Sequence, residues 1–202
     1  MVNVGIIGFG YWGPNLARNF NMDPNAKLLK IADTNSERCK LAQKNYPQTE
    51  VTTNPEELIK ALDIDLIVIA TPVSTHFELA IKALENGKHV WIEKPITSSS
   101  KEARILADKA QQKNLIVTVD HTYLFSGAIK KIKNILTKKE LGDLYYYDSV
   151  RVNLGLFQHD VNVIWDLATH DFSIMNYLLG SPARAVSAVG ACHINKLEDV
   201  GY

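Results

Sequence analysis

Short apolar runs alternate with helical patterns from the first residues of the chain. Residues 2–7 are a largely β-branched run ending at a glycine turn, and the helix expected behind it carries Leu16, Ala17 and Phe20 on one face. Asp23-Pro24-Asn25 stops that helix. A second strand is predicted over 27–32, a helix around 37–43 and a short third strand over 50–52. Asn54 before Pro55 is a helix-start signal. Residues 65–70 (DLIVIA) are mostly apolar without alternation, as expected of a strand covered on both faces. A helix over 74–85 ends before Gly87, a fifth strand covers 89–92, and a helix over 98–113 turns Ala103, Leu106, Ala107 and Ala110 inward. Residues 115–119 give a sixth strand. This β-α alternation predicts an α/β fold with a doubly wound parallel sheet.

The pattern changes after His121. A helix is predicted over 128–137, a strand over 144–153, a longer helix over 162–179 closed by Gly180, and a strand over 185–194. One helix between two strands buries little, so the sequence divides into a sheet domain over 1–122 and an incomplete α+β domain over 123–202.

Charge narrows the partners. The 202 residues hold 22 basic and 22 acidic side chains, with no basic block of the kind that grips nucleic acid. The two cysteines, Cys39 and Cys192, make neither a disulfide framework nor a zinc site, and no metal centre is expected. The start MVNVGIIGFG has no basic segment leading a long apolar run, and no stretch is long enough to cross a bilayer. A soluble cytoplasmic protein with a small-molecule ligand, and no nucleic-acid or membrane partner, is the expectation.

The glycine turn specifies the ligand. Gly8-Phe9-Gly10-Tyr11-Trp12-Gly13 fits G-x-G-x-x-G, a weak pattern alone, but here it follows a strand and opens a helix. Gly8 permits the tight turn, Gly10 lets backbone approach a pyrophosphate, and Gly13 lets helix and strand pack closely. Free N–H groups at the helix start then face the phosphates. Asp33 ends the second strand, where a carboxylate accepts hydrogen bonds from the adenosine ribose and disfavours an extra phosphate. NAD is therefore expected over NADP, with Arg38 close enough to leave some dual use open. A related sheet binding another nucleoside, such as S-adenosylmethionine, fits the glycines and Asp33 as well.

Chemistry is expected beyond the carboxyl ends of the strands. Thr71-Pro72-Val73-Ser74-Thr75-His76 follows the fourth strand and Glu93-Lys94-Pro95 the fifth. A lysine at a strand end beside a nicotinamide is a plausible proton carrier, although a surface lysine before a proline turn reads the same way. Asp166 and His170 stand four apart on a predicted helix and share a face, as a catalytic pair or as an ordinary ion pair would. No Y-x-x-x-K pair of the short-chain dehydrogenase type occurs.

The turn GFGYWG, the triplet EKP and the stretch WDLATHD, in this order, resemble the Gfo/Idh/MocA oxidoreductases, which include glucose–fructose oxidoreductase and inositol dehydrogenase. Segments GFGYWGPNLARNF, VDHTYLFSGAIKKIKNI and RVNLGLFQHDVNVIWDLATHD look most like predicted dehydrogenases of nucleotide sugars, similar to UDP-N-acetylglucosamine 3-dehydrogenases. The resemblance implies a doubly wound Rossmann sheet, an NAD(H)-dependent oxidoreductase of sugars, polyols or nucleotide sugars, and Lys94, Asp166 and His170 as catalytic residues. It also implies that Glu93 and Pro95 set the position of Lys94, often through a cis bond. Tyr11, Trp12, Thr71, Pro72 and His76 would line the cofactor. His121, Tyr123, Arg151, Asn153 and His170 would meet substrate, with Arg151 suited to a phosphate or carboxylate. Family members run beyond three hundred residues and oligomerise through the second domain, so a full-length form is expected to be a homo-oligomer. A non-catalytic NAD-binding module is the competing expectation.

Overall fold

The computed structural model describes residues 1–152 and 160–202. The backbone forms two compact units, Met1–Asp120 and His121–Tyr202.

In the first unit six strands make one parallel sheet: β1 (Val2–Ile7), β2 (Ala26–Ala32), β3 (Glu50–Thr52), β4 (Leu66–Ile69), β5 (His89–Ile92) and β6 (Val117–Val119). Their order is β3-β2-β1-β4-β5-β6, the doubly wound Rossmann order. The winding reverses between β1 and β4, which opens a crevice at the carboxyl ends of those two strands. The connecting helices are α1 (Gly13–Met22), α2 (Ser36–Asn45), α3 (Pro55–Lys60), α4 (His76–Glu85) and α5 (Ser100–Lys113). Local chemistry fixes their ends. The Asn35 side chain accepts from the Glu37 and Arg38 amides, Asn54 from Glu56, and Ser99 from Glu102. Asn114, left-handed at φ 54°, closes α5.

The apolar run in β4 serves both faces of the sheet. Ile67 and Ile69 join Leu58, Ala80, Leu84, Val90, Ile92 and Leu106 in one cluster, while Val68 joins Val4, Ile6, Phe9, Leu16, Ala17 and Ile31 in another. Each Val, Leu, Ile or Phe among them contributes about 1.5–3 kcal/mol when fully buried. On α5 the buried positions are Leu106 and Ala110; Ala107, expected inward, is exposed. That helix packs on α4 and β6 at the sheet margin, so its apolar stripe is narrower than a central helix would need.

The second unit holds α6 (Gly127–Thr137), α7 (Thr169–Leu179) and a two-strand antiparallel ladder of β7 (Gly190–Ala191) with β8 (Val200–Gly201). The Lys133 ammonium donates to the Leu178 carbonyl at 3.1 Å, satisfying an acceptor left over at the end of α7, where Gly180 turns left-handed at φ 69°. The helix expected over 162–179 opens with a π-helical turn, Ile164–Ala168, before α7. Neither expected strand forms as predicted. Residues 144–152 carry no strand, and from 185–194 only Gly190–Ala191 pairs. A strand persists when a neighbour takes up its backbone groups, and the described residues supply none for 144–152. Tyr145, Val152 and Val186 are accordingly 93%, 85% and 83% exposed. Among the described residues, no helix is long and apolar enough to cross a membrane.

Candidate active site

The glycine turn is built by close backbone approach. Gly8 has φ +98°, and a Cβ there would lie 2.5 Å from the Ala70 carbonyl oxygen, so the turn after β1 closes directly onto the end of β4. A Cβ on Gly13 would lie 2.2 Å from the Gly8 carbonyl oxygen, which seats the start of α1 on the same turn. Among the described residues no side chain caps α1, whose first turn contains Pro14. Its start is therefore left to a ligand or solvent, the arrangement that binds an anion when backbone crowds close to it. Tyr11 and Trp12 project from the turn and stack edge to face at 5.3 Å.

Asp33, just past β2, is 6% exposed. One carboxylate oxygen accepts from the Phe9 amide at 2.6 Å and the other from the Asn35 amide at 2.8 Å. The acid thus fastens the glycine turn to the end of β2. An ionised carboxylate has roughly four acceptor positions, so this one keeps acceptor capacity for ribose hydroxyls. Arg38 stands beside it, its guanidinium 3.6 Å from the carboxylate and 3.5 Å from where a Gly10 Cβ would be. The Cys39 thiol donates to the Asp33 carbonyl at 3.0 Å. Glycine cradle and oriented acid together fit the pyrophosphate and ribose of a dinucleotide.

Two further loops leave the carboxyl ends of β4 and β5. After β4, the Thr71 and Thr75 hydroxyls share a hydrogen bond at 2.7 Å, and Thr75 also donates to the Pro72 carbonyl. His76 is buried at the head of α4 and ties this loop to the next. Its Nε2 is 2.8 Å from the Thr71 carbonyl oxygen, and its Nδ1 is 2.9 Å from that of Pro95. A neutral imidazole donates to one such acceptor and an imidazolium to both. Lys94-Pro95, joined by a cis peptide, therefore sits on a loop pinned from behind.

Glu93 and Asp120 are both buried, 7% and 8% exposed. The β5–β6 register pairs Ile92 with Val119, which makes Glu93 and Asp120 the next two residues on neighbouring parallel strand ends. Burial first, then the neighbouring Asp120, pushes the Glu93 carboxyl up to about 7 against the lowering influence of Lys94.

In the second unit, His121 precedes a 3-10 turn, Thr122–Phe125, that carries Tyr123. The Tyr123 ring meets the His170 imidazole edge to face at 4.9 Å, and the Arg151 guanidinium lies 5.3 Å from the same phenol ring. Arg151 also forks onto Asp171, with Nε and Nη2 donating at 2.9 and 3.2 Å, and Ser149 donates to Asp171 at 2.7 Å. Burial pushes the Asp171 carboxyl up, but the bonds from Arg151 and Ser149 outweigh it and hold the acid below its usual range. Arg151 is thus engaged with an acid of its own unit. Asp166 lies in the π-helical turn and His170 in the first turn of α7; such turns recur at functional sites. Asn153 lies outside the described residues.

The first unit thus gathers Gly8, Gly10, Tyr11, Trp12, Gly13, Asp33, Thr71, Pro72, His76, Glu93 and Lys94 on the strand-end loops of one sheet. The second gathers Tyr123, Arg151 and His170 around one aromatic ring. Sequence reading assigns no role to Asp120 or Asp171. Strand register points to Asp120, one step past the Ile92–Val119 pair; Asp171 has no spacing signal, because its partner Arg151 is twenty residues away.

Residues 2–121 match the model of an oxidoreductase family described by its NAD-binding Rossmann fold, Gfo/Idh/MocA. Over 195 residues the chain is 30% identical to scyllo-inositol 2-dehydrogenase (NAD(+)) of Bacillus subtilis (strain 168), covering 94% of this chain and 57% of that protein. It is 28% identical to UDP-N-acetylglucosamine 3-dehydrogenase of Acidithiobacillus ferrooxidans, over 98% of this chain and 61% of that one. A Bacteroides fragilis crystal structure, titled as that of a candidate oxidoreductase, superposes with a TM-score of 0.85 at 31% identity, over 100% of this chain and 59% of the other. The chain spans about three-fifths of the length of these relatives. It belongs to the Gfo/Idh/MocA oxidoreductase family, and its first unit is the family's NAD-binding domain.

Proposed function

We propose that this family member transfers hydride between NAD and a CH–OH carbon of a polyol, sugar or nucleotide sugar. The observation that carries the reading is the pinned EKP loop at the same carboxyl end of the parallel strands as the dinucleotide turn and Asp33. The bound nicotinamide supplies the carbon that accepts or gives the hydride.

The protein's own part is binding, orientation and proton handling. The Gly8–Gly13 turn and the start of α1 hold the pyrophosphate, and Asp33 holds the adenosine ribose. Lys94, fixed by the His76 tie behind Pro95, holds or moves the hydroxyl proton. In the second unit His170 meets the edge of Tyr123, and membership of the family supports a part in proton handling for His170 and Asp166. The engaged Arg151 makes an uncharged ring hydroxyl a better match for this region than a free phosphate. Names carried by relatives support both an inositol-like and a nucleotide-sugar substrate.

The test is Lys94→Met, assayed with NAD and inositols and with UDP-N-acetylglucosamine. Turnover should fall by about 10²–10⁴-fold, the usual worth of a positioned acid-base group, while NADH still binds. Turnover that survives removes Lys94 from the chemistry. A wild-type protein that binds NADH but oxidises none of these alcohols is a binding module and overturns the enzymatic reading.

A further inference from the structure

The ends of β5 and β6 hold two acids that hydride transfer does not call on. Glu93 and Asp120 are adjacent in register on parallel strands, so their side chains leave the same face of the sheet about 4.8 Å apart. Both are buried, and a hydrogen bond links them. Two carboxylates so placed and so poorly solvated do not both ionise readily, and a carboxyl–carboxylate hydrogen bond needs one proton between them. We propose that Glu93 and Asp120 form a one-proton acid pair that gives up its proton when the oxidised cofactor binds and regains it on reduction.

The physical link is charge. An oxidised nicotinamide is positive and the reduced one is neutral, and the pair sits beside Lys94, where the proposed function puts that ring; the inference rests on that reading. A positive ring drives off the shared proton, which goes to solvent as Glu93 becomes carboxylate. Loss of the positive charge on reduction draws one proton back. The charged groups acting on Glu93 are Asp120 from β6 and Lys94 from its own strand end. From α4, His76 reaches the same loop through the Pro95 carbonyl. The pair starts half-protonated near neutrality, since the Glu93 carboxyl is raised to about 7. An acid with a raised folded pKa adds stability below its unfolded value, lost as pH rises through the folded one. The ligand-free protein should therefore lose thermal stability between pH 5 and 8, and NAD should restore it.

Calorimetric titration of the whole chain with NAD, in two buffers of different ionisation enthalpy, counts the protons released. About half a proton per NAD bound is expected at pH 7, with much less for NADH. Asp120→Asn, close to isosteric, should reduce the release and flatten the pH dependence of stability; Glu93→Gln should abolish both. Equal heats in the two buffers overturn the proposal, as does release that persists in Glu93→Gln. Infrared titration of the ligand-free protein provides an independent arm. A protonated carboxyl band should fade around pH 7 and be missing from Glu93→Gln. If that band is present but NAD binding releases no proton, the pair exists and the placement of the nicotinamide beside it is wrong. If no carboxyl stays protonated above pH 6, the pair itself is refuted.

Discussion

The two units of this chain show contrasting ways of handling apolar sequence. In the first, β4 turns Ile67 and Ile69 to one face and Val68 to the other, and helices cover both clusters. In the second, Val152 and Val186 carry the same β-branched chemistry and are 85% and 83% exposed. Propensity does not separate them. The first unit's strands find parallel neighbours within 120 residues, and the second unit's extended segments find almost none among the described residues. A strand is a property of a pair, and only one unit contains the pairs.

The sharpest break in that contrast would come at the glycine turn, where the first unit's packing is tightest. Gly8→Ala forces a side chain onto a backbone at φ +98° and 2.5 Å from the Ala70 carbonyl oxygen. Strain of this kind costs about 1–3 kcal/mol before the clash is counted, so chemical denaturation should show at least that loss. NADH titration should show binding weakened beyond about 100-fold, because the amides that meet the pyrophosphate move with the turn. Near-native stability and affinity would mean that the turn adapts and that its geometry does not set the site.

A smaller effect is expected at Asp33, which sharpens the comparison by separating architecture from recognition. The acid accepts from the Phe9 and Asn35 amides and is also the candidate ribose ligand. Asp33→Asn keeps one acceptor oxygen for the backbone and removes the charge; Asp33→Ser also shortens the side chain and admits an extra phosphate. NAD affinity should fall about tenfold in both, near 1.4 kcal/mol, while NADP affinity should rise chiefly in Asp33→Ser. Arg38, at 3.6 Å, is then free to take the phosphate. Fluorescence titrations with both reduced cofactors read this directly, and an unchanged ratio of affinities removes Asp33 from selectivity.

The same contrast explains what could be read in the sequence. Residues 2–7 and 50–52 are legible to the residue, because glycine, proline and asparagine punctuate the β-α alternation at their ends. The glycine turn and Asp33 are legible because one unit holds strand, turn, helix and acid together. Residues 144–153 and 185–194 read as strands from alternation alone, and alternation is silent on whether a partner exists. Asp120 went unnoticed because its meaning depends on Glu93, 27 residues earlier, and only register brings the two together. The family resemblance offers His76 as a cofactor-lining candidate. Its bridge between the Thr71 and Pro95 carbonyls belongs to tertiary structure.

The smallest expected effect is the most direct trial of the comparison itself. Val68 is fully buried between β1 and β5, and Val186 is 83% exposed. Val68→Ala removes two methyl-sized volumes from a packed cluster and should cost about 1–3 kcal/mol at the larger-to-smaller rates seen in cores. Val186→Ser removes similar apolar area from a side chain already in water and should stay within about 0.5 kcal/mol. Denaturant melts of the two variants, each followed by circular dichroism and NADH fluorescence, measure both on one scale. A cost at Val186 approaching that at Val68 would show the residue covered in solution, by another copy of the chain or by another segment. The exposed apolar positions of the second unit would then be an interface, and the difference between the two units would reflect which of their partners were present.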